Sequence, residues 1–233
     1  PQNYEVSIVN VKAYNNTDLR RAQIEGALNT ADYAEGADVE KTLEAFQQGK
    51  KLNLTWTHTE DGKVHQFVVE EVARREKSEK VDLHVNGKPI GIDRTENVQV
   101  DIPPLDEFKL MNVKVVQSPT QYVILQFSDP VKENQNLKGL ITMSDLPSLD
   151  FDVNNNEIWV YPPVAQNGSR TLSVASGIRN VMDVKLKDAI TQEGFFEQLK
   201  PAVRFTGKGS ILPGTYGLVV PFEAVNLRAV DVQ

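Results

Sequence analysis

Apolar and polar residues alternate through most of this chain, a period that predicts strands rather than helices. Leu52, Leu54 and Trp56 alternate with Asn53, Thr55 and Thr57 ahead of Asp61-Gly62, and Phe67 and Val69 lie on the return. Asp-Gly accepts the positive φ values of a two-residue type I′ turn, so the two runs read as a hairpin. Its register sets Trp56 opposite Phe67, Leu54 opposite Val69 and His58 opposite His65. A second hairpin is expected around Asn86-Gly87, with Leu83 facing Ile90 and Val81 facing Ile92. Val98 to Ile102 reads as a further strand, and Pro103-Pro104, which cannot donate to a ladder, marks a boundary.

One stretch has a different period. Val39, Leu43 and Phe46 fall at i, i+4 and i+7, one face of a helix. With Asp38 as N-cap and Gly49 as stop, the pattern predicts a short helix near 38–48.

Strand grammar resumes after Pro104. Phe108 to Val116, Gln121 to Phe127, Leu149 to Val153, Ile158 to Tyr161, Arg170 to Ala175 and Ala202 to Phe205 alternate and are separated by turn signals such as Asp129-Pro130 and Asn167-Gly168. Short strands at this spacing predict a sandwich of immunoglobulin-like size. Beyond Phe205, the joint Gly207, Gly209, Pro213 and Gly214 leads into Val219, Phe222, Val225, Leu227, Val230 and Val232, too apolar for a solvated tail. The expected fold is mainly β. Two tandem β-sandwich domains, immunoglobulin-like or macroglobulin-like, occupy 1–104 (with the short helix) and 105–205. Residues 206–233 then form a linker and the first strand or strands of a truncated third domain.

Composition narrows the functional classes. The 233 residues carry 25 Lys and Arg against 32 Asp and Glu, a net charge of -7 with no basic run, which argues against nucleic acid or anionic membrane surfaces as partners. The absence of Cys removes disulfides, thiol nucleophiles and cysteine metal sites without settling the compartment. No apolar run is long enough to span a bilayer. The chain opens on Pro1 without an initiator Met or signal peptide, so it reads as a piece of something longer.

Candidate chemistry is sparse. His58 and His65, facing each other across the first hairpin, have the separation of two ligands of one Zn²⁺, with Glu60, Glu70 or Glu71 as the nearest carboxylates in sequence. The plainer reading is a polar pair near a hairpin end. Asp152 to Glu157 begins like a calcium loop, but Glu157 stands where glycine must turn and Val164 where the bidentate Glu belongs, so an Asn-rich hairpin turn fits better. Gly207-Lys208-Gly209 starts a dinucleotide fingerprint that Leu212 and Pro213 break. The sequons at Asn15, Asn53 and Asn167 matter only in a eukaryotic secretory host. No catalytic, cofactor-binding or metal residue is assigned, and no enzyme activity or cofactor is expected.

Whole segments say more than any motif. Residues 200–213 (Lys-Pro-Ala-Val-Arg-Phe-Thr-Gly-Lys-Gly-Ser-Ile-Leu-Pro) and 220–227 (Val-Pro-Phe-Glu-Ala-Val-Asn-Leu) resemble the stretch joining the second macroglobulin-type domain to the third in bacterial α2-macroglobulins, in forms like those of Bacteroidetes. Tyr122 to Pro130 is similar to an early strand of the preceding domain. Leu54 to His58 with His65 to Phe67 is similar to the first domain. That family comprises large periplasmic or cell-surface proteins, often lipid-anchored, that trap proteases through a bait segment and in many members a Cys-Gln thioester. The resemblance implies a non-catalytic spacer at the N-terminus of such an endopeptidase inhibitor, contacting neighbouring domains of its own chain and proteases only through parts outside these residues. Lacking Cys, these residues hold no thioester.

A second class is open: a cell-surface adhesin or carbohydrate-binding pair of immunoglobulin-like domains. Trp56, Trp159, Tyr161 and Tyr216 are possible stacking platforms. Trp159 and Tyr161 share one strand face and Ile158 and Val160 the other, so one of the two sets is core.

Overall fold

The computed structural model describes residues 2–15, 17–197, 202–205 and 222–225. Its first part is built from β1 (Tyr4–Ala13), β2 (Arg21–Thr30), the single-turn helix α1 (Gly36–Val39), β3 (Leu43–Gln47), β4 (Lys50–Leu52), β5 (Leu54–His58), β6 (Val64–Ala73), β7 (Glu79–Asn86) and β8 (Thr95–Ile102). Two antiparallel sheets, ordered β1-β2-β6-β5 and β4-β3-β7-β8, face each other across Ile24, Leu28, Phe67, Val69, Val81 and Leu83. The second part contains β9 (Leu110–Val116), β10 (Tyr122–Phe127), β11 (Ile141–Met143), β12 (Asp150–Asn154), β13 (Glu157–Tyr161), β14 (Gly168–Val174) and β15 (Ile190–Phe196). Its sheets, β12-β13-β10-β9 and β11-β14-β15, enclose a separate core of Phe108, Leu125, Phe127, Ile158, Val160 and Phe196.

Lettered in chain order, the second sandwich has A-B-E-D against C-F-G, the strand order of immunoglobulin constant-type domains, and the first adds a C′ strand, β4. The fold is mainly β and immunoglobulin-like, with one short helix among the described residues. β16 (Ala202–Phe205) pairs with β17 (Phe222–Val225) in a two-stranded sheet of its own, so Ala202–Phe205 does not complete the second sandwich. β15 does that instead. The Gly207-Lys208-Gly209 motif, Tyr216 and the rest of 206–221 and 226–233 lie outside the described residues.

The first hairpin has the expected register: Leu54 pairs with Val69, Trp56 with Phe67 and His58 with His65. Its turn is wider than two residues, because Thr59 N–H already bonds Val64 C=O and Gly62 N–H bonds back to Thr59. The element expected from Asp38 to Gly49 is corrected, beginning with its cap: Asp38 lies inside the helix, and Glu35 is the N-cap residue. The helix near 38–48 is only Gly36–Val39, and Leu43–Gln47 is strand β3. Thr42 turns its hydroxyl back onto the Val39 carbonyl as the helix ends, and Leu43, Ala45 and Gln47 then alternate inward against β7. Gly49 is the second residue of the β3–β4 hairpin turn, where Gln48 and Gly49 both take positive φ (51° and 77°).

The second hairpin also differs. Val81 pairs with Val100 and Leu83 with Val98, because Gly87 is right-handed (φ -73°) and a 3₁₀ turn over Lys88–Ile90 extends the connection. Ile90 and Ile92 pack half-buried on the core instead of joining the ladder.

Candidate functional site

Three places gather chemistry-bearing side chains. At the end of the first hairpin, the Nδ1 atoms of His58 and His65 lie 2.9 Å apart in a direct imidazole–imidazole hydrogen bond. His65 is wholly buried, and its Nε2 has no hydrogen-bond partner. Burial, reinforced by repulsion from His58, holds the His65 ring below the usual histidine range, with the Gly62 backbone and Asp61 pulling weakly the other way. Glu40 meets His58 on its far nitrogen, Nε2, at 3.3 Å. That geometry places a carboxylate and the second imidazole on opposite sides of one ring, so they do not converge on one ion. Among the described residues no group of three or more His, Cys, Asp or Glu is arranged for a metal.

The outer face of the second sandwich carries an aromatic cluster. Ile158 and Val160 are the core set of β13, and Trp159 and Tyr161 take the half-exposed outer face. Tyr122 lies against both, its ring centroid 5.3 Å from Trp159 and 5.4 Å from Tyr161. Trp159 Nε1–H donates to Glu157 (2.8 Å), which also accepts from Gln126, and Gln126 accepts from Asn112. Asn112 donates onward to the Val9 carbonyl of the first sandwich. Val9 is the residue skipped by a register shift in β1, a bulge that turns its carbonyl toward the neighbour. Asp152 to Glu157 is the tip of the β12–β13 hairpin, turning at Asn155-Asn156, with the Asn156 amide buried on the Phe127 carbonyl.

The third place is the junction between the sandwiches. Arg74, just past β6, is 3% exposed, and Asp129, just past β10, is 0% exposed. They form a two-pronged buried ion pair. The guanidinium also donates to the carbonyls of Pro103 (2.9 Å), Pro104 (2.9 Å) and Glu107 (3.1 Å), so it grips the connecting segment as well as both sandwiches. Ser128 donates to Asp129 and receives the Lys109 N–H, while its carbonyl accepts Ala13 N–H of β1. Both partners of the pair are satisfied, the condition under which a buried charge is tolerable.

In the sequence Asp129 reads only as a turn residue beside Pro130, and nothing marks Arg74. The two lie 55 residues apart, and no local spacing signals their pairing.

The class that this architecture defines is a tandem of immunoglobulin-like β-sandwiches. No family model matches the chain, and no curated protein does. Solved structures similar in fold include the Bacteroides ovatus mixed-linkage glucan utilization locus protein SGBP-B in complex with a mixed-linkage heptasaccharide (10% identity, TM-score 0.36, covering 81% of this chain and 48% of that one). The titin Ig tandem A164-A165 is similar at 9% identity and TM-score 0.27, over 84% and 95% of the two chains. Surface layer protein SbsC, domains 4–9, is similar at 15% identity and TM-score 0.32, over 89% and 34%. This chain thus spans about half the length of the glucan-locus protein. Among the described residues no helix is long and apolar enough to cross a membrane.

Proposed function

We propose that this chain is a non-catalytic spacer, a pair of β-sandwiches held at a fixed angle so that neighbouring domains of the same polypeptide sit at a set separation. The Arg74–Asp129 junction carries this reading. A flexible linker needs no buried ion pair, whereas here one guanidinium ties β6, the Pro103-Pro104 segment and the end of β10 together. The two prolines, themselves buried, add stiffness at the same point.

The finer reading is that the parent is a bacterial α2-macroglobulin-type protease trap, lipid-anchored in the periplasm or at the cell surface, with these domains near its N-terminus. It is supported by the similarity of 200–213 and 220–227 to the family's interdomain segment. The carbohydrate-binding reading draws less from the aromatic face, because Tyr122 packs against Trp159 and Tyr161 and uses ring surface that a sugar would need. Paired spin labels, one on each sandwich, test the spacer: a single narrow distance distribution is expected, and a broad one overturns it. The isolated chain should leave proteases uninhibited; inhibition by it defeats the trap-spacer reading.

A further inference from the structure

Among the described residues the side of the second sandwich between β11 and β12 is open, and its counterpart in the first is closed. There β4 pairs with β3, and the chain passes through Asn53 alone into β5, so one extended run seals the gap between the sheets. In the second sandwich no described strand pairs with the outer side of β11 or of β12. Two contiguous grooves of about 460 and 400 Å³ follow that side and share Lys138, Leu149, Asp150 and Phe151.

The edge of β12 is ready to pair. The Asn155-Asn156 turn closes on the Asn154–Glu157 pair, so alternation of the ladder aims the backbone N–H and C=O of Phe151 and Val153 away from β13. Among the described residues neither makes a backbone hydrogen bond outside the ladder. The strand has no Pro, Lys or bulge, the usual devices that blunt an edge. Side chains are sorted by face. Phe151 and Val153 are half-buried on the inner side, near the buried Leu137 and Leu149 that line the groove, while Asp150 and Asp152 are exposed on the outer side, with Glu133 also at the groove.

We propose that this edge is a strand-addition site for an extended segment of another polypeptide in which apolar and basic residues alternate. Added beside β12, such a segment lays its apolar residues over Leu137, Leu149 and Phe151 and sets its basic residues against Asp150 and Asp152. Backbone pairing supplies affinity, and the two faces supply selectivity. This assignment stands whether or not the spacer reading does.

The probe is a fluorescein-labelled Thr-Lys-Val-Arg-Val-Lys-Thr peptide titrated into the full chain. Two N-methylated versions block one or the other set of alternating N–H groups. One set should weaken binding about tenfold and the other hardly at all, since only one edge of the added strand pairs with β12. Val153→Pro removes an outward N–H while sparing the ladder to β13, and should weaken the peptide similarly. Asp150→Asn with Asp152→Asn, surface changes that leave the fold intact, should weaken it and flatten its salt dependence. On binding, amide exchange at Phe151 and Val153 should slow. Equal binding of both methylated peptides, unchanged exchange at those amides, no binding, or self-pairing of the chain through this edge would each overturn the proposal.

Discussion

The two sandwiches share a strand order and differ at their margins. The first uses a C′ strand, reached through the tight Gln48-Gly49 turn and continued through Asn53 into β5, to close one side over its core. The second has a three-residue β11, leaves that side open, and places buried polar residues at the end facing its neighbour: Ser128, Asp129 and Asn180, the last with its amide oxygen accepting the Met182 and Val184 N–H groups. Alternating inward residues set the common topology, while edges and loop ends vary without disturbing it. In this chain the margins hold the junction and the open edge.

That contrast is cleanest to break at the junction. Arg74→Ala should cost about 3–5 kcal/mol, because it leaves Asp129 buried and uncompensated. Urea denaturation measures it, and a loss below about 1 kcal/mol would mean that the pair does not lock the domains. Arg74→Leu with Asp129→Leu should recover most of the stability while broadening the spin-label distances, which separates stability from stiffness.

Next come the cores. The chain's two tryptophans fall one in each sandwich, Trp56 in the first and Trp159 in the second, so each reports its own unfolding. Leu83→Ala should cost about 2–5 kcal/mol on the Trp56 transition, and Leu125→Ala a similar amount on the Trp159 transition. The two losses should add within about 0.5 kcal/mol, since the residues belong to separate clusters. A shortfall well beyond that would make the sandwiches one cooperative core.

A smaller effect belongs to the first sandwich alone. Gly26 pairs with Phe67 across β2 and β6, and the Phe67 ring lies where a Cβ on residue 26 would be. Gly26→Ala should therefore cost about 1–3 kcal/mol by overpacking, read on the Trp56 transition. Phe67→Leu in the same chain should relieve part of the crowding, and a fully additive pair would place the ring elsewhere.

What the sequence made legible follows the range of the interactions. The β5–β6 register was readable because Asp61-Gly62 and the alternation on either side agree locally. The same period divides β13 into two faces, Trp159 with Tyr161 and Ile158 with Val160, and only burial decides that the second is core. β3 was misread because Val39, Leu43 and Phe46 satisfy a helical spacing while Leu43, Ala45 and Gln47 satisfy a strand, and the ladder to β7 decides between them. β11 went unseen because Ile141–Met143 is too short to show a period, and β15 because its middle, Thr191 to Gly194, is polar and exposed apart from a half-buried glycine. The Arg74–Asp129 pair is tertiary throughout: each residue is ordinary in its own segment, and only the docking of the sandwiches makes them partners.

The mildest test uses pH, and it again divides the halves, because all three histidines (His58, His65 and His84) lie in the first sandwich. His65 is neutral in the fold, its ring held below the ordinary 6.5 by burial and by His58. The unfolded chain therefore takes up the proton first as pH falls. The stability that the neutral ring contributes is complete above about 6.5 and is lost progressively below it, toward the lower folded value. One such group limits the slope to about 1.4 kcal/mol per pH unit. Urea midpoints between pH 7.5 and 5.5 should fall for the Trp56 transition and stay level for the Trp159 transition. His65→Leu should flatten the first, since it removes the titrating ring and leaves half-exposed His58 to find water. An equal slope in both sandwiches, or one that survives His65→Leu, would locate the proton elsewhere and remove the buried imidazole as the source of a pH dependence in the first sandwich.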